Sequence, residues 1–247
     1  MTVSFDALQA SERLTRVHTR IAAAAQQSGR EPHSVRLLAV SKLQPSARLQ
    51  ALYGAGQRAF GENYVQEGID KITELHSLQQ FPDIEWHLIG PLQSNKTRVV
   101  AERFNWVHSL DRTKIAERLS AQRPDHLPPL NLCIQVNVSG ESSKSGCLPE
   151  EALSIVDFAC KLPRVVVRGL MGMPEPGIGE AATRTQFMLL SHLFVTARAH
   201  VPTIDTLSMG MSDDLELAVA CGSTMVRVGT ALFGQRPGSP EKLEAQT

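Results

Sequence analysis

VRLLAVSKLQPSARLQALYGAGQRAFGEN, residues 35–63, decides how the rest of the chain is read. Its aliphatic run at 35–40 has the length of a buried strand and stops at Ser41 and Lys42. Pro45 sits where a helix opens, ARLQALYGAG continues it, and two glycines close it. RAF at 58–60 is a second short strand. Strand, helix and strand in about thirty residues make a parallel β-α-β unit.

Outward from this unit the alternation continues. Strands are expected at 84–89 (IEWHLI), 106–110 (WVHSL), 130–138 (LNLCIQVNV), 164–171 (RVVVRGLM), 203–209 (TIDTLSM) and 225–229 (MVRVG). Helices are expected at 65–78, 95–103, 112–122, 150–161, 182–200 and 213–221, with the short TALFG after the eighth strand. Upstream, 5–28 carries Leu8, Leu14, Val17, Ile21 and Ala25 at helical spacing. Eight strands, each followed by a helix, fit a (β/α)8 TIM barrel of about 250 residues. The expectation is a single domain over 1–234, with a polar tail at 235–247. The extra N-terminal helix would cover the barrel where a full eighth helix is missing. An open doubly wound sheet is the rival, but its dinucleotide fingerprint is lacking. The one match, GIGEAA at 177–182, is cut off from its strand by Pro174 and Pro176.

Composition removes several function classes. The 247 residues are 42% hydrophobic and 20% charged, which excludes a disordered chain. Twenty-five basic residues balance twenty-five acidic ones, arguing against non-specific binding to nucleic acid or an anionic membrane. No window has the length and apolarity of a membrane span, and MTVSFDALQASERL lacks a signal-peptide pattern. Four cysteines without metal spacing are expected to be reduced, in the cytoplasm.

In such barrels chemistry sits on the loops that follow the strands. Lys42, Glu62, Asn63, His87, His108, Asn137, Lys144, Ser208, Arg227, Gly229 and Thr230 fall there. Lys42 leaves an apolar strand at the barrel mouth, where partial desolvation makes an amine nucleophilic. The bland alternative is a lysine that snorkels to water. LSMGMS (207–212) and RVGTALFG (227–234) place glycines and one helical turn where backbone N–H groups approach an anion. Equally, Gly210, Gly222 and Gly229 serve turns. A lysine opposite a phosphate cup suggests a phosphorylated carbonyl compound, either a sugar phosphate or pyridoxal phosphate. Arg227 would face a pyridine nitrogen or pair with a buried carboxylate. Asn63 reads as the cap of the helix at 65–78 and as a ligand amide. His87 and His108 lack a third ligand at metal spacing, so no metal is expected.

Taken together, AVSK (39–42), FGENYVQE (60–67), HLIGPLQSNK (87–96), VHSLDR (107–112), QVNVSGESSKSG (135–146), GLMGMP (169–174), LSMGMSDDLELAV (207–219) and GSTMVRVGTALFG (222–234) resemble the pyridoxal phosphate homeostasis protein family. The likeness runs in order over about residues 35–234. It implies a barrel like the N-terminal domain of alanine racemase, with pyridoxal phosphate held as an aldimine on Lys42. It further implies that Ser208, Gly229 and Thr230 hold the phosphate, that Arg227 faces the pyridine nitrogen and that Asn63 lies near the ring. Lys144 would be a second lysine at the mouth. Leu43 and Gln44 depart from the more polar residues that relatives carry there. The implied role is buffering or delivery of the cofactor to pyridoxal phosphate-dependent apoenzymes by a monomer with no catalytic residue. The alternative is an amino-acid racemase. Racemases of this type append a β domain and complete the site with a partner's tyrosine, whereas this chain stops soon after the eighth strand and has only Tyr53 and Tyr64. An aldolase-type barrel would take its Schiff-base lysine from a later strand.

Overall fold

The computed structural model describes residues 6–141 and 145–234. A long helix, α1 (Ala7–Gln27), is capped by the Asp6 carboxylate, which accepts from the Gln9 N–H at 2.9 Å. The unit at 35–63 then forms β1 (Arg36–Val40), α2 (Ser46–Gly54) and β2 (Ala59–Glu62). Next come α3 (Val65–Ser77), β3 (Glu85–Leu88), α4 (Thr97–Arg103), β4 (Trp106–Leu110) and α5 (Thr113–Gln122). The second half runs β5 (Leu130–Val136), α6 (Ala152–Ala159), β6 (Val165–Gly172) and α7 (Glu180–His200). It ends with β7 (Thr206–Ser208), α8 (Leu215–Ala220), β8 (Met225–Val228) and α9 (Thr230–Phe233). The strands pair in sequence order, all parallel, and β8 returns to β1 through Arg36↔Met225 to Ala39↔Val228. The sheet is a closed eight-stranded barrel, as expected, and not the open doubly wound sheet that the same alternation would allow.

Two-residue periodicity sorts each strand into an inner and an outer face. On β3, Trp86 and Leu88 join the large core between the sheet and its helices, while Glu85 and His87 take the other face. The barrel interior holds two small apolar clusters: Leu38, Ala59, Ile89 and Met225 on one side, and Trp106, Cys133 and Met171 on the other. Because α9 has only four residues, α1 packs against α2, α8 and α9 and covers the gap. Arg20 on α1 pairs with Glu216 at 2.9 Å and donates to the Ser212 carbonyl at 3.0 Å, tying this cover to the mouth.

Most element ends shift by one or two residues from expectation, and at three of them a local hydrogen bond competes with the regular element. β5 ends at Val136, since the Asn137 side chain accepts from Ser139 and Gly140 N–H and folds the chain over. β7 is three residues long because Thr203 donates to the Val167 carbonyl and Ile204 bonds back to Val201. α8 begins at Leu215, with Asp214 accepting from Met211 N–H at 2.5 Å. GIGEAA is the loop and first turn of α7, with Gly179 at the N-cap. Phe5, Lys144 and the tail from 235 lie outside the described residues. Among the described residues, no helix is long and apolar enough to cross a membrane.

Candidate functional site

A cavity of about 360 Å³ opens at the C-terminal ends of the strands. Lys42, Asn63, Arg227, Gly229 and Thr230 line it, bringing together five of the six residues expected at the site. Gln44, noted in the sequence only as a departure from the family pattern, also lines it, as do Met211, Ser212 and Asp213, which the sequence reading did not assign to the site. Met211 and Ser212 do lie within the LSMGMS loop, so the loop was legible and its cavity-facing members were not.

Lys42 lies two residues beyond β1, on a backbone gripped from both sides. Lys71 of α3 donates to the Ser41 carbonyl at 2.7 Å, and the Leu43 N–H donates to Glu67 Oε1 at 2.5 Å. Lys71 also donates to Glu62 Oε1 at 2.8 Å and Glu67 Oε1 at 2.6 Å, while the Ser41 hydroxyl donates to Glu62 Oε1 at 2.6 Å. Glu62 is fully buried and Lys71 nearly so. Burial pushes the Glu62 carboxyl up, against the opposing pull of Lys71 and Ser41. Leu43 itself sits at φ 58°, a left-handed conformation that a non-glycine residue adopts only where its surroundings enforce it. The Glu67–Lys71 pair has legible i,i+4 spacing, but nothing local showed that Glu62 would be buried beneath it.

Asn63 does not cap α3. Tyr64 holds the cap position without a side-chain bond, and Glu67 turns to Leu43 and Lys71 instead. The Asn63 Oδ1 is buried and has no hydrogen-bond partner among the described residues, while the residue lines the cavity. Its backbone is pinned by Gly90, where an added Cβ would lie 2.0 Å from the Asn63 carbonyl oxygen.

Arg227 is 3% exposed. Its Nη1 donates to the Ser208 carbonyl at 2.6 Å and the Ser208 hydroxyl at 2.9 Å, and its Nη2 to the Gly172 carbonyl at 3.1 Å. No carboxylate pairs with it among the described residues, so the ion-pair alternative is not what the fold builds. Burial lowers its pKa to about 10, which still leaves it a cation at neutral pH. Three of its five N–H groups are committed to protein acceptors, and the rest remain for the cavity.

Ser208 is fully buried beneath Arg227, its hydroxyl between Arg227 and His108, and it does not line this cavity. β7 side chains alternate, and Ser208 falls on the inward face, one layer below the mouth. Gly229 and Thr230 do reach the wall, where the first N–H groups of α9 have no intrahelical acceptor. An added Cβ at Gly229 would come 3.3 Å from the Val40 carbonyl. Gly210 and Gly222, by contrast, serve turns at φ 94° and 101°. His87 and His108 are fully buried and bonded to each other at 2.9 Å. Among the described residues no group of three or more His, Cys, Asp or Glu is arranged to hold a metal.

The donor set fits a ligand with an electrophilic carbon, a heterocyclic acceptor and an anionic end. The model of the alanine racemase N-terminal domain matches residues 13–237. A pyridoxal phosphate homeostasis protein of Pseudomonas aeruginosa is 53% identical over 231 residues, covering 93% of this chain and 97% of that protein. PipY of Synechococcus elongatus, solved with PLP bound, superposes with a TM-score of 0.75 at 39% identity, covering 91% of this chain and all of that one. Alanine racemase from Corynebacterium glutamicum shares the fold at 16% identity, with a TM-score of 0.68 over 96% of this chain and 64% of its own.

Proposed function

The chain belongs to the pyridoxal phosphate homeostasis protein family, and from that premise we propose that its cavity holds pyridoxal phosphate for buffering and delivery. The observation that carries this reading is one cavity shared by Lys42, the orphaned Asn63 amide and an Arg227 with no carboxylate partner among the described residues. When bound, pyridoxal phosphate supplies an aldehyde that condenses reversibly with a primary amine, together with a phosphate that seeks N–H donors. Lys42 is the amine at the end of β1. Gly229 and Thr230 offer backbone donors at the start of α9, with Ser212 on the facing loop. Arg227 can only donate, so a pyridine nitrogen facing it stays unprotonated and its pull on electrons is weak. Among the described residues no tyrosine lines the cavity, so the wall lacks the phenol that would stand opposite Lys42 in a racemase. An arginine at that position weakens the sink without abolishing catalysis, and it is the two features together that support holding over turnover. The four cysteines are all free thiols, which suits a reducing cytoplasm, and pyridoxal phosphate-dependent apoenzymes are the recipients we assign.

An absorbance titration tests the assignment. Added pyridoxal phosphate should give a visible band in the wild type and none in Lys42→Ala, and borohydride should fix the label on the Lys42 peptide. A label on another lysine with Lys42 unmodified would refute it.

A further inference from the structure

Below the cavity floor a row of polar side chains runs down the barrel, past Trp106, over whose ring Arg36 and Arg168 lie with centroid distances of 5.7 and 5.1 Å. Ser208 Oγ lies 2.9 Å from Arg227 Nη1 and 3.2 Å from His108 Nδ1. His108 Nε2 lies 2.9 Å from His87 Nδ1, and His87 Nε2 lies 3.1 Å from Glu85 Oε1. Glu85 starts β3 at the opposite end of the barrel, where its oxygens also accept from Arg36 at 2.5 Å and Trp106 Nε1 at 3.0 Å. Trp106 stacks on the His87 ring, with centroids 5.1 Å apart and planes 12° apart. Ser208, His108 and His87 are fully buried.

We propose that Arg227, Ser208, His108, His87 and Glu85 form a one-way hydrogen-bond relay. Every donor points from the cavity floor toward the Glu85 carboxylate, and the relay holds Arg227 in place as a donor toward the cavity.

Both ends of the row are polar locks. A guanidinium has five donors and no acceptor, and an ionised carboxylate only accepts. Burial opposes ionisation of Glu85, but the bonds from His87 and Trp106 and the Arg36 charge outweigh it and hold its pKa well below the carboxylate range. Burial lowers both histidines; for His108 the neighbouring His87 and then the Arg227 charge add to it, while for His87 the Glu85 carboxylate opposes it, so each ring carries one proton. One assignment satisfies every atom. His87 Nε2–H donates to Glu85, and His108 Nε2–H donates to His87 Nδ1. The Ser208 hydroxyl donates to His108 Nδ1, and Arg227 Nη1–H donates to Ser208 Oγ. Reversing the rings would leave the Ser208 proton with no acceptor among the described residues and turn the His87 Nε2 lone pair onto the Glu85 carboxylate. In a chain of this kind each bond polarises the next, so the carboxylate strengthens Ser208 as an acceptor for Arg227. Glu85, His87 and His108 are thus positioning residues that act through Ser208.

The inference about Arg227 rests on the pyridoxal phosphate reading, whereas the direction of the relay does not. Long-range proton–nitrogen NMR on the ¹⁵N-labelled full chain without added cofactor should show His87 and His108 neutral, each protonated on Nε2, across the neutral pH range. A proton on Nδ1 of either ring, or a doubly protonated ring, overturns the relay. Each single substitution leaves the lock at the other end, so Glu85→Gln and Ser208→Ala should each keep the wild-type tautomers, whereas the two combined free both ends and should bring a second, Nδ1–H tautomer to His87 and His108. A second tautomer in either single variant, or single tautomers in the double variant, overturns the polarity argument. Should the double variant fail to fold, the wild type and the two single variants carry the same test. With pyridoxal phosphate added, Glu85→Gln should move the pH midpoint of the visible band to lower pH, because a negative charge has been withdrawn from the row behind Arg227. An unmoved midpoint overturns the coupling to Arg227. No visible band in the wild type refutes the cofactor reading and leaves the relay to stand or fall on the tautomers.

Discussion

Replacing Lys71 with methionine isolates the group that holds the backbone at Lys42. The methionine keeps most of the stem but withdraws the ammonium from Glu62, Glu67 and the Ser41 carbonyl. Glu62 is then a fully buried carboxylate whose one remaining donor is the Ser41 hydroxyl. Removing one partner of a buried ion pair costs about 3–5 kcal/mol. The carboxyl can escape part of that by taking a proton. From its ordinary value of 4.5, doing so at pH 7 costs about 3 kcal/mol at 1.36 kcal/mol per unit. The lost bond to the Ser41 carbonyl adds about 1 kcal/mol. Urea unfolding at pH 7 should therefore show Lys71→Met less stable than wild type by about 3–5 kcal/mol. At pH 5 the neutralisation costs under about 1 kcal/mol, so the deficit should shrink by about 2–3 kcal/mol. Adding Glu62→Gln to Lys71→Met should abolish that pH dependence. A deficit below about 1 kcal/mol at pH 7, or one of equal size at both pH values, would show that no buried charge was stranded.

Gly90→Ala drives a Cβ to 2.0 Å from the Asn63 carbonyl oxygen, so it should cost about 2 kcal/mol or more and weaken pyridoxal phosphate binding; wild-type stability and affinity in this variant would discredit the contact. His87 and His108 have folded pKa values below the unfolded 6.5, so they contribute stability above that pH that is lost as pH falls beneath it. Unfolding free energy should drop from pH 7 to 5, by up to about 1.4 kcal/mol per unit for each ring, with the raised carboxyls Glu62 and Asp214 opposing; a steady rise over that range would contradict neutral burial. Incubation with L-alanine and pyridoxal phosphate should yield no D-alanine above a Lys42→Ala control, as chiral chromatography would read. Repeated turnovers that vanish in that variant would restore the racemase alternative.

Reading the chain alone reached the barrel and five residues of the cavity wall, because both are written in local pattern. Runs such as VRLLAV and LNLCIQV are too short and too apolar for anything but buried strands, and the prolines and glycines between them set helix ends. In a barrel, the residue after a strand is at the mouth whatever its neighbours, which is why Lys42, Asn63, Gly229 and Thr230 could be placed from position alone. Tertiary structure decided what depends on which strands lie side by side. Period-two alternation puts Glu85 and His87 on one face of IEWHLI, but only closure of β8 on β1 makes that face the inside of the barrel. Closure also sets Ser208 under Arg227 and brings His108 between Ser208 and His87. Burial of Glu62 under Lys71 likewise required α3 to pack back across β2, as the 2.8 Å contact records. Hydrogen bonds and desolvation act over a few ångströms in space, and residues 85, 108, 208 and 227 meet at that distance only in the folded chain.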